Sequence, residues 1–281
     1  MDVTAIIDGL NDPQREAVTA PMQNMLVLAG AGSGKTRVLI HRIAWLVRTE
    51  DISPYSIMAV TFTNKAAKEM RSRIENLLGV SPQGMWVGTF HGLAHRILRS
   101  HWQDAGLLEN FQIMDSEDQH RLLKRICKDL ALDDKQWPAK QFQWYINAQK
   151  DEGLRSKHIE RTNDPQQQMF VKVYQAYQEA CDRSGLVDFA ELLLRAHELW
   201  LNNSALLEHY QQRFRHILVD EFQDTNAIQY AWLNILGLKQ SRVMIVGDDD
   251  QSIYGWRGAK IENIQRFVKD FDAQAIRLEQ N

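Results

Sequence analysis

Apolar residues follow two rhythms along this chain. Largely apolar runs at Met25–Ala29, Ile57–Thr61, His216–Val219 and 242–246, with a weaker one at 85–87, read as short buried strands. Each is followed by polar or glycine residues and then usually by a helical pattern, which predicts a parallel sheet covered by helices. The interval 90–215 has the other rhythm. There "SEDQHRLLKRICKDLAL", "FVKVYQAYQEACDRSGL" and "DFAELLLRAHELWLNN" space their apolar residues by three and four. Ser116, followed by Asp118 and Gln119, reads as a helix start, and breaks fall at Trp137-Pro138, Gly153 and Asn163-Asp164-Pro165. The pattern predicts an α/β domain made of 1–89 together with 216–281, interrupted by an all-helical insertion at 90–215.

Between the first strand and its helix lies "AGAGSGKT". Glycines there let successive backbone N–H groups point into one concavity, and the helix start adds a dipole that favours anions. The stretch Ala29, Gly30, Ala31, Gly32, Ser33, Gly34, Lys35, Thr36 fits the phosphate-binding pattern GxxxxGK[ST], except that Ala29 replaces the first glycine. Lys35 is placed to reach the terminal phosphates of a nucleotide, and Thr36 to hold Mg²⁺. A plain glycine turn at a strand end would not require strand, loop, Lys-Thr and helix in this order.

Two further strand ends carry polar groups. Asp220 and Glu221 stand just beyond the run 217–219, where ligands bind in open parallel sheets. Asp220 suits Mg²⁺ opposite Thr36, and Glu221 suits a water attacking a γ-phosphate. Adjacent strand residues point to opposite faces, a rule that relaxes at the very end of a strand. Apart from the upstream loop, an Asp-Glu pair is an ordinary solvated turn. The third strand end, "RVMIVGDDDQSIYGWRGA", carries Gln251, a neutral amide suited to sensing a γ-phosphate. Its three aspartates lack the spacing of a calcium-binding EF-hand. Tyr254 and Trp256, in a polar glycine-rich stretch, suit stacking on unpaired bases, worth about 1–3 kcal/mol each. Their alternative is to plug an interface between domains.

Composition narrows the setting. The 281 residues are 44% hydrophobic and 25% charged with a formal net charge of −3, so any nucleic-acid binding must come from a local groove. No apolar run nears the roughly 20 residues that span a bilayer, and no signal peptide is visible at the start. Cys127 and Cys181 form no metal spacing and no disulfide framework, so the expectation is a cytoplasmic protein with two small buried thiols.

The blocks "LNDPQREAV", "AGAGSGKT", "AVTFTNKAAKEM", "VGTFHGLAHRIL", "LVDEFQDTN" and "VGDDDQSIYGWRGA", in this order, closely resemble superfamily 1 DNA helicases of the UvrD/Rep/PcrA type. The resemblance implies a RecA-like P-loop NTPase subdomain, 1A, and an inserted subdomain, 1B. It implies ATP and Mg²⁺ as cofactors, and 3′→5′ movement on single-stranded DNA with unwinding at single-strand/duplex junctions. Mismatch- and excision-repair proteins would be partners, and no membrane is involved. Gln14 would read the adenine edge, from a helix start fixed by Asn11-Asp12-Pro13, and Arg37 would lie near the nucleotide. Phe62, Thr63 and Asn64 would contact single-stranded DNA, with Thr89 and His91 adding backbone contacts and Tyr254 and Trp256 stacking bases. The alternative for Phe62 is a core aromatic. A zinc site at His91 and His95 lacks a third ligand.

In this family a second RecA-like domain supplies the arginines that complete the ATPase site. The sequence given is thus expected to be an N-terminal half that binds ATP weakly and turns it over slowly, since such arginines are worth about 10³–10⁵ in rate. Two other classes share part of the pattern. A P-loop kinase would use the same cradle but leaves Tyr254, Trp256 and the Thr-Phe-Thr-Asn block unexplained. A non-catalytic nucleic-acid-binding module would bind weakly and lose affinity with salt.

Overall fold

A computed structural model of the chain describes residues 3–30, 32–160, 162–248 and 261–278. Two compact units divide it. The first comprises 1–93, 204–225 and 232–281, and the second 94–203 with 226–231.

The first unit is built on six strands: β1 (Met25–Ala29), β2 (Ile57–Thr61), β3 (Trp86–Thr89), β6 (His216–Val219), β7 (Arg242–Asp248) and β8 (Gln274–Leu278), in the spatial order β3-β2-β6-β7-β1-β8. Every pairing is parallel. Strands β1, β2 and β6 are buried along their whole length, as expected when helices cover both faces of a sheet. The mixed α/β fold with a parallel sheet is therefore the one the apolar runs predict. Strand β7 runs two residues further than its apolar stretch suggests, ending at Asp248. Strand β8 carried no sequence signal, because as an edge strand it alternates exposed and buried residues and reads as half polar.

Helices position the strand ends. After a single turn, α1 (Thr4–Ile7), comes α2 (Asp12–Thr19), where Asn11 caps by accepting from the Gln14 amide while the Gln14 side chain accepts from the Asn11 amide, with Pro13 in the first turn. This reciprocal box satisfies two otherwise orphaned N–H groups. Helix α3 (Lys35–Arg48) buries Val38, Leu39, Ile43 and Ala44 completely against the core shared with Val27, Ala29, Leu218 and Val246. Each fully buried aliphatic side chain contributes about 1.5–3 kcal/mol. On the same helix Arg42 is buried and donates to the carbonyls of Val18, Ala20 and Pro21, which ties down the segment leading into β1. Helix α4 (Asn64–Leu78) begins at the cap Thr63, whose hydroxyl accepts from the Ala66 amide.

The second unit is built mainly from helices, with one addition to the all-helical expectation. Helices α6 (Ser116–Asp129), α7 (Ala139–Asp151) and α8 (Pro165–Ser184) surround a core that includes Leu123, Phe142, Ile146, Val173, Tyr174 and Tyr177, and α9 (Phe189–Asn202) packs against α7. The addition is a two-stranded parallel pair, β4 (Gln112–Ile113) with β5 (Leu186–Val187), too short to show as a sequence pattern. Helix α6 starts at Ser116, as expected from sequence, and is capped by Asp115, which accepts from the Asp118 amide. The polar centre of the second unit is an ion network. Glu191 takes Lys150 at 2.8 Å, Arg155 at 2.6 Å and Arg195 at 2.7 Å, and Lys150 also meets Asp188 at 2.6 Å. Among the described residues no helix is long and apolar enough to cross a membrane.

Candidate active site

The site forms where strands β1, β6 and β7 end. Register sets it: Ala29 of β1 lies opposite Asp248 of β7, and Val219 of β6 lies opposite Ile245. The loop after β1, Asp220 just after β6 and Asp248 at the end of β7 therefore converge at one edge of the sheet, where ligands bind in open α/β sheets.

The loop itself is shaped by glycine. Gly32 has φ +78° and Gly34 φ +82°, a left-handed region that side chains rarely adopt, and Gly34 is the N-cap of α3. A Cβ on Gly34 would sit 2.8 Å from Gln14 Nε2, so this glycine also makes room for a neighbour. Gln14 Nε2 donates to the Ser33 carbonyl at 2.9 Å, and Ser33 Oγ donates to the Gly30 carbonyl at 2.6 Å. The expected adenine reader is thus attached to the loop by the same side chain that caps α2. Ala31 lies outside the described residues. The Arg37 guanidinium lies against Gly9, and the residue is exposed.

Thr36 and Asp220, drawn from α3 and the end of β6, meet directly: Thr36 Oγ1 donates to Asp220 Oδ2 at 2.9 Å. Burial pushes the Asp220 carboxyl upward and the Thr36 hydrogen bond opposes that shift. A hydroxyl and a carboxylate held together are hard oxygen donors of the kind Mg²⁺ takes, so the donor set fits that ion. Lys35 Nζ lies 3.2 Å from Asp248 Oδ2, with both side chains nearly buried. Sequence reading passed over Asp248 because it stood in a row of three aspartates. Its position opposite Ala29 is what distinguishes it.

Glu221 occupies an unusual backbone position, φ +50°, which costs a non-glycine residue roughly 1–2 kcal/mol. The turn is held by Phe222, which is fully buried and packs on Phe267 with ring centres 5.7 Å apart. Gln223 completes the arrangement. Its Nε2 donates to Glu221 Oε2 at 2.5 Å, and its Oε1 accepts from the Asp248 amide at 3.1 Å. Sequence reading assigned Gln223 no role, although it lies in the same block as Asp220 and Glu221.

A second cluster lies at the ends of β2 and β3, where Thr61 pairs with Thr89. Phe62 is half-buried and meets Phe90 edge-on at 5.8 Å, and Phe90 meets Trp232 at 6.5 Å. Phe62 thus has one face in the core and part of its surface in solvent. Thr63 and Asn64 are exposed at the start of α4. Thr89 Oγ1 accepts from the Gly92 amide at 3.0 Å in the first turn of α5 (Phe90–Ser100). Burial pushes His91 down to about 4, so this residue carries no charge near neutral pH. His95 Nε2 accepts from Arg99 Nε at 2.9 Å. Gln251, Tyr254 and Trp256 lie outside the described residues.

Known proteins share this sequence closely. The chain is 71% identical to DNA helicase II of Salmonella typhimurium and 70% identical to DNA helicase II of Escherichia coli, each alignment covering 100% of this chain and 39% of the relative. It is 43% identical to the ATP-dependent DNA helicase PcrA of Staphylococcus epidermidis, over 99% of this chain and 38% of that protein. The chain thus spans about two fifths of the length of these relatives. Residues 10–272 match the UvrD/REP helicase N-terminal domain, and the chain belongs to that family.

Proposed function

We propose that this chain is the ATP-binding part of a DNA helicase motor. The observation that carries the reading is the meeting of Thr36 and Asp220 at 2.9 Å beside Lys35, at the mouth of a glycine loop. In this reading residues 1–89 with 216–281 form subdomain 1A and residues 90–215 form subdomain 1B. Residues 29–37 and Gln14 bind ATP, the loop amides and Lys35 neutralising phosphate oxygens. Thr36 and Asp220 would hold Mg²⁺, which supplies charge neutralisation between phosphate oxygens. The Glu221 carboxylate orients the attacking water and accepts its proton as the bond to the γ-phosphorus forms and the bond from that phosphorus to the bridging oxygen breaks, the oxygen leaving on ADP. Gln251 senses the γ-phosphate and passes that state to the stacking residues Tyr254 and Trp256.

Single-stranded DNA would run along Phe62, Thr63, Asn64, Thr89 and His91, at the ends of β2 and β3. With His91 neutral and the chain acidic overall, hydrogen bonding and stacking carry this track more than charge does. Movement 3′→5′, unwinding at single-strand/duplex junctions, and work with mismatch- and excision-repair proteins in the cytoplasm complete the reading. The same resemblance assigns the arginines of the transition state to a second motor domain. The 281 residues by themselves are therefore proposed to hydrolyse ATP slowly, by about 10³–10⁵ relative to a completed site.

The test is ATP binding and hydrolysis by the 281-residue chain, with and without a single-stranded oligonucleotide, beside Lys35→Ala. Nucleotide binding that depends on Lys35, with very slow turnover, supports the reading. Binding unaffected by Lys35→Ala would overturn it. Robust Lys35-dependent turnover would overturn the assignment of the arginines to another domain.

A further inference from the structure

Gln223 links two strand ends through a single buried side chain. It is 6% exposed, and both polar atoms of its amide are used at once: one donates to Glu221 and the other accepts from the backbone of Asp248. The side chain of Asp248 in turn meets Lys35. A chain of contacts thus runs from Glu221, at the end of β6, through Gln223 to the end of β7, and from there to the phosphate loop.

We propose that Gln223 is a positioning residue for ATP hydrolysis: it fixes the Glu221 carboxylate and registers it against the end of β7. The inference rests on the assignment of Glu221 to the attacking water. The geometry argues for it in three ways. Glu221 sits at a strained backbone position, φ +50°, so its direction is set by local restraints and not by the regular strand. The described contact to its carboxylate is the Gln223 bond, so one of its oxygens is committed to the amide while the other can accept a proton. The amide cannot rotate end for end without placing its carbonyl oxygen against a carboxylate and its NH₂ against an N–H donor, so the orientation is self-selecting.

Gln223→Met keeps the shape and buries no new charge but removes both hydrogen bonds. Gln223→His keeps one donor and one acceptor on opposite sides of a neutral ring. Both would be assayed in the 281-residue chain by single-turnover hydrolysis, chain in excess over labelled ATP, with long incubations and with ATP affinity measured separately. Glu221→Gln and Lys35→Ala serve as references. Gln223→Met is expected to slow hydrolysis 10- to 100-fold with ATP affinity within about twofold of the parent chain, and Gln223→His to recover part of that rate. Independently of turnover, the Asp248 amide is expected to exchange its hydrogen faster in Gln223→Met.

An unchanged rate in Gln223→Met alongside a large loss in Glu221→Gln would overturn the positioning role and leave the site reading intact. A loss of affinity as large as the loss of rate would also overturn it, since it would mark a structural residue. So would a Gln223→His rate no better than that of Gln223→Met, or unchanged protection of the Asp248 amide. Hydrolysis or binding indifferent to both Glu221→Gln and Lys35→Ala would instead remove the reading on which the inference rests.

Discussion

Lys35 Nζ stands 3.2 Å from Asp248 Oδ2, with side-chain exposures of 11% and 9%. The ammonium assigned to a nucleotide's phosphates is thus already paired with a carboxylate. On the proposed function, bound phosphates would compete with Asp248 for the same charge. Asp248→Asn should lower the thermal stability of the nucleotide-free chain, because an uncompensated, nearly buried cation costs roughly 3 kcal/mol. ATP should then restore more than it does in the parent. The measurement is the ATP-induced rise in Tm in both chains, and an equal or smaller rise in Asp248→Asn counts against the competition.

Gly34→Ala should damage the loop on two grounds. It forces a side chain into φ +82°, at about 1–2 kcal/mol, and it drives a methyl group into the Gln14 amide, 2.8 Å away. The bond from Gln14 to the Ser33 carbonyl should break, and ATP affinity should fall at least tenfold. Nucleotide titration checks this, and a Gly34→Ala chain that binds ATP as the parent does would refute it.

Glu191, 1% exposed, holds three cations at once: Lys150, Arg155 and Arg195. Those partners keep its carboxyl well below the usual range despite burial. Glu191→Gln removes the shared charge and leaves the cations under-compensated, which should destabilise the second unit by about 3–5 kcal/mol. Urea unfolding followed by the fluorescence of that unit's tryptophans gives the value. A loss under 1 kcal/mol would show that the network relaxes around the change.

His216 opens β6, is 6% exposed, and is pushed down to about 4 by burial and by Arg42, Arg242 and Arg215. Its folded pKa lies below the ordinary 6.5 of an unfolded histidine. Between those values the unfolded chain binds a proton that the folded chain refuses. The contribution is complete above about pH 6.5 and is lost as pH falls towards 4, by up to about 3 kcal/mol. His91 shares the window, whereas Asp151, raised to about 6, acts in the opposite sense. The difference between the parent and His216→Gln isolates the one residue. Going from pH 7.5 to 5, Tm should fall less in His216→Gln, and parallel losses would contradict the assignment.

Much of this arrangement was written in local sequence. The runs Met25–Ala29, Ile57–Thr61 and His216–Val219 became strands because short apolar stretches rich in aliphatic residues suit the interior of a two-sided sheet. Asn11, Pro13 and Gln14 start a helix through bonds made within four residues. The glycines of the phosphate loop follow from backbone freedom alone. Order along the chain, from loop to Asp-Glu pair, was enough to expect a nucleotide site and a helicase-like block pattern.

What the sequence could not supply was distance across the sheet. Asp248 is one of three consecutive aspartates, alike in composition, and only the register with Ala29 brings it to Lys35. Gln223 looks like any polar residue after a strand until β6 and β7 lie side by side and its amide spans them. Strand β8 pairs with β1 across some 250 residues, and its alternating pattern gains meaning only at a sheet edge. Local rules set helices, caps and turns because those bonds close within one turn of chain. Partners such as Gln223 and Asp248 belong to tertiary structure, because long-range hydrogen bonds and ion pairs depend on which strands become neighbours.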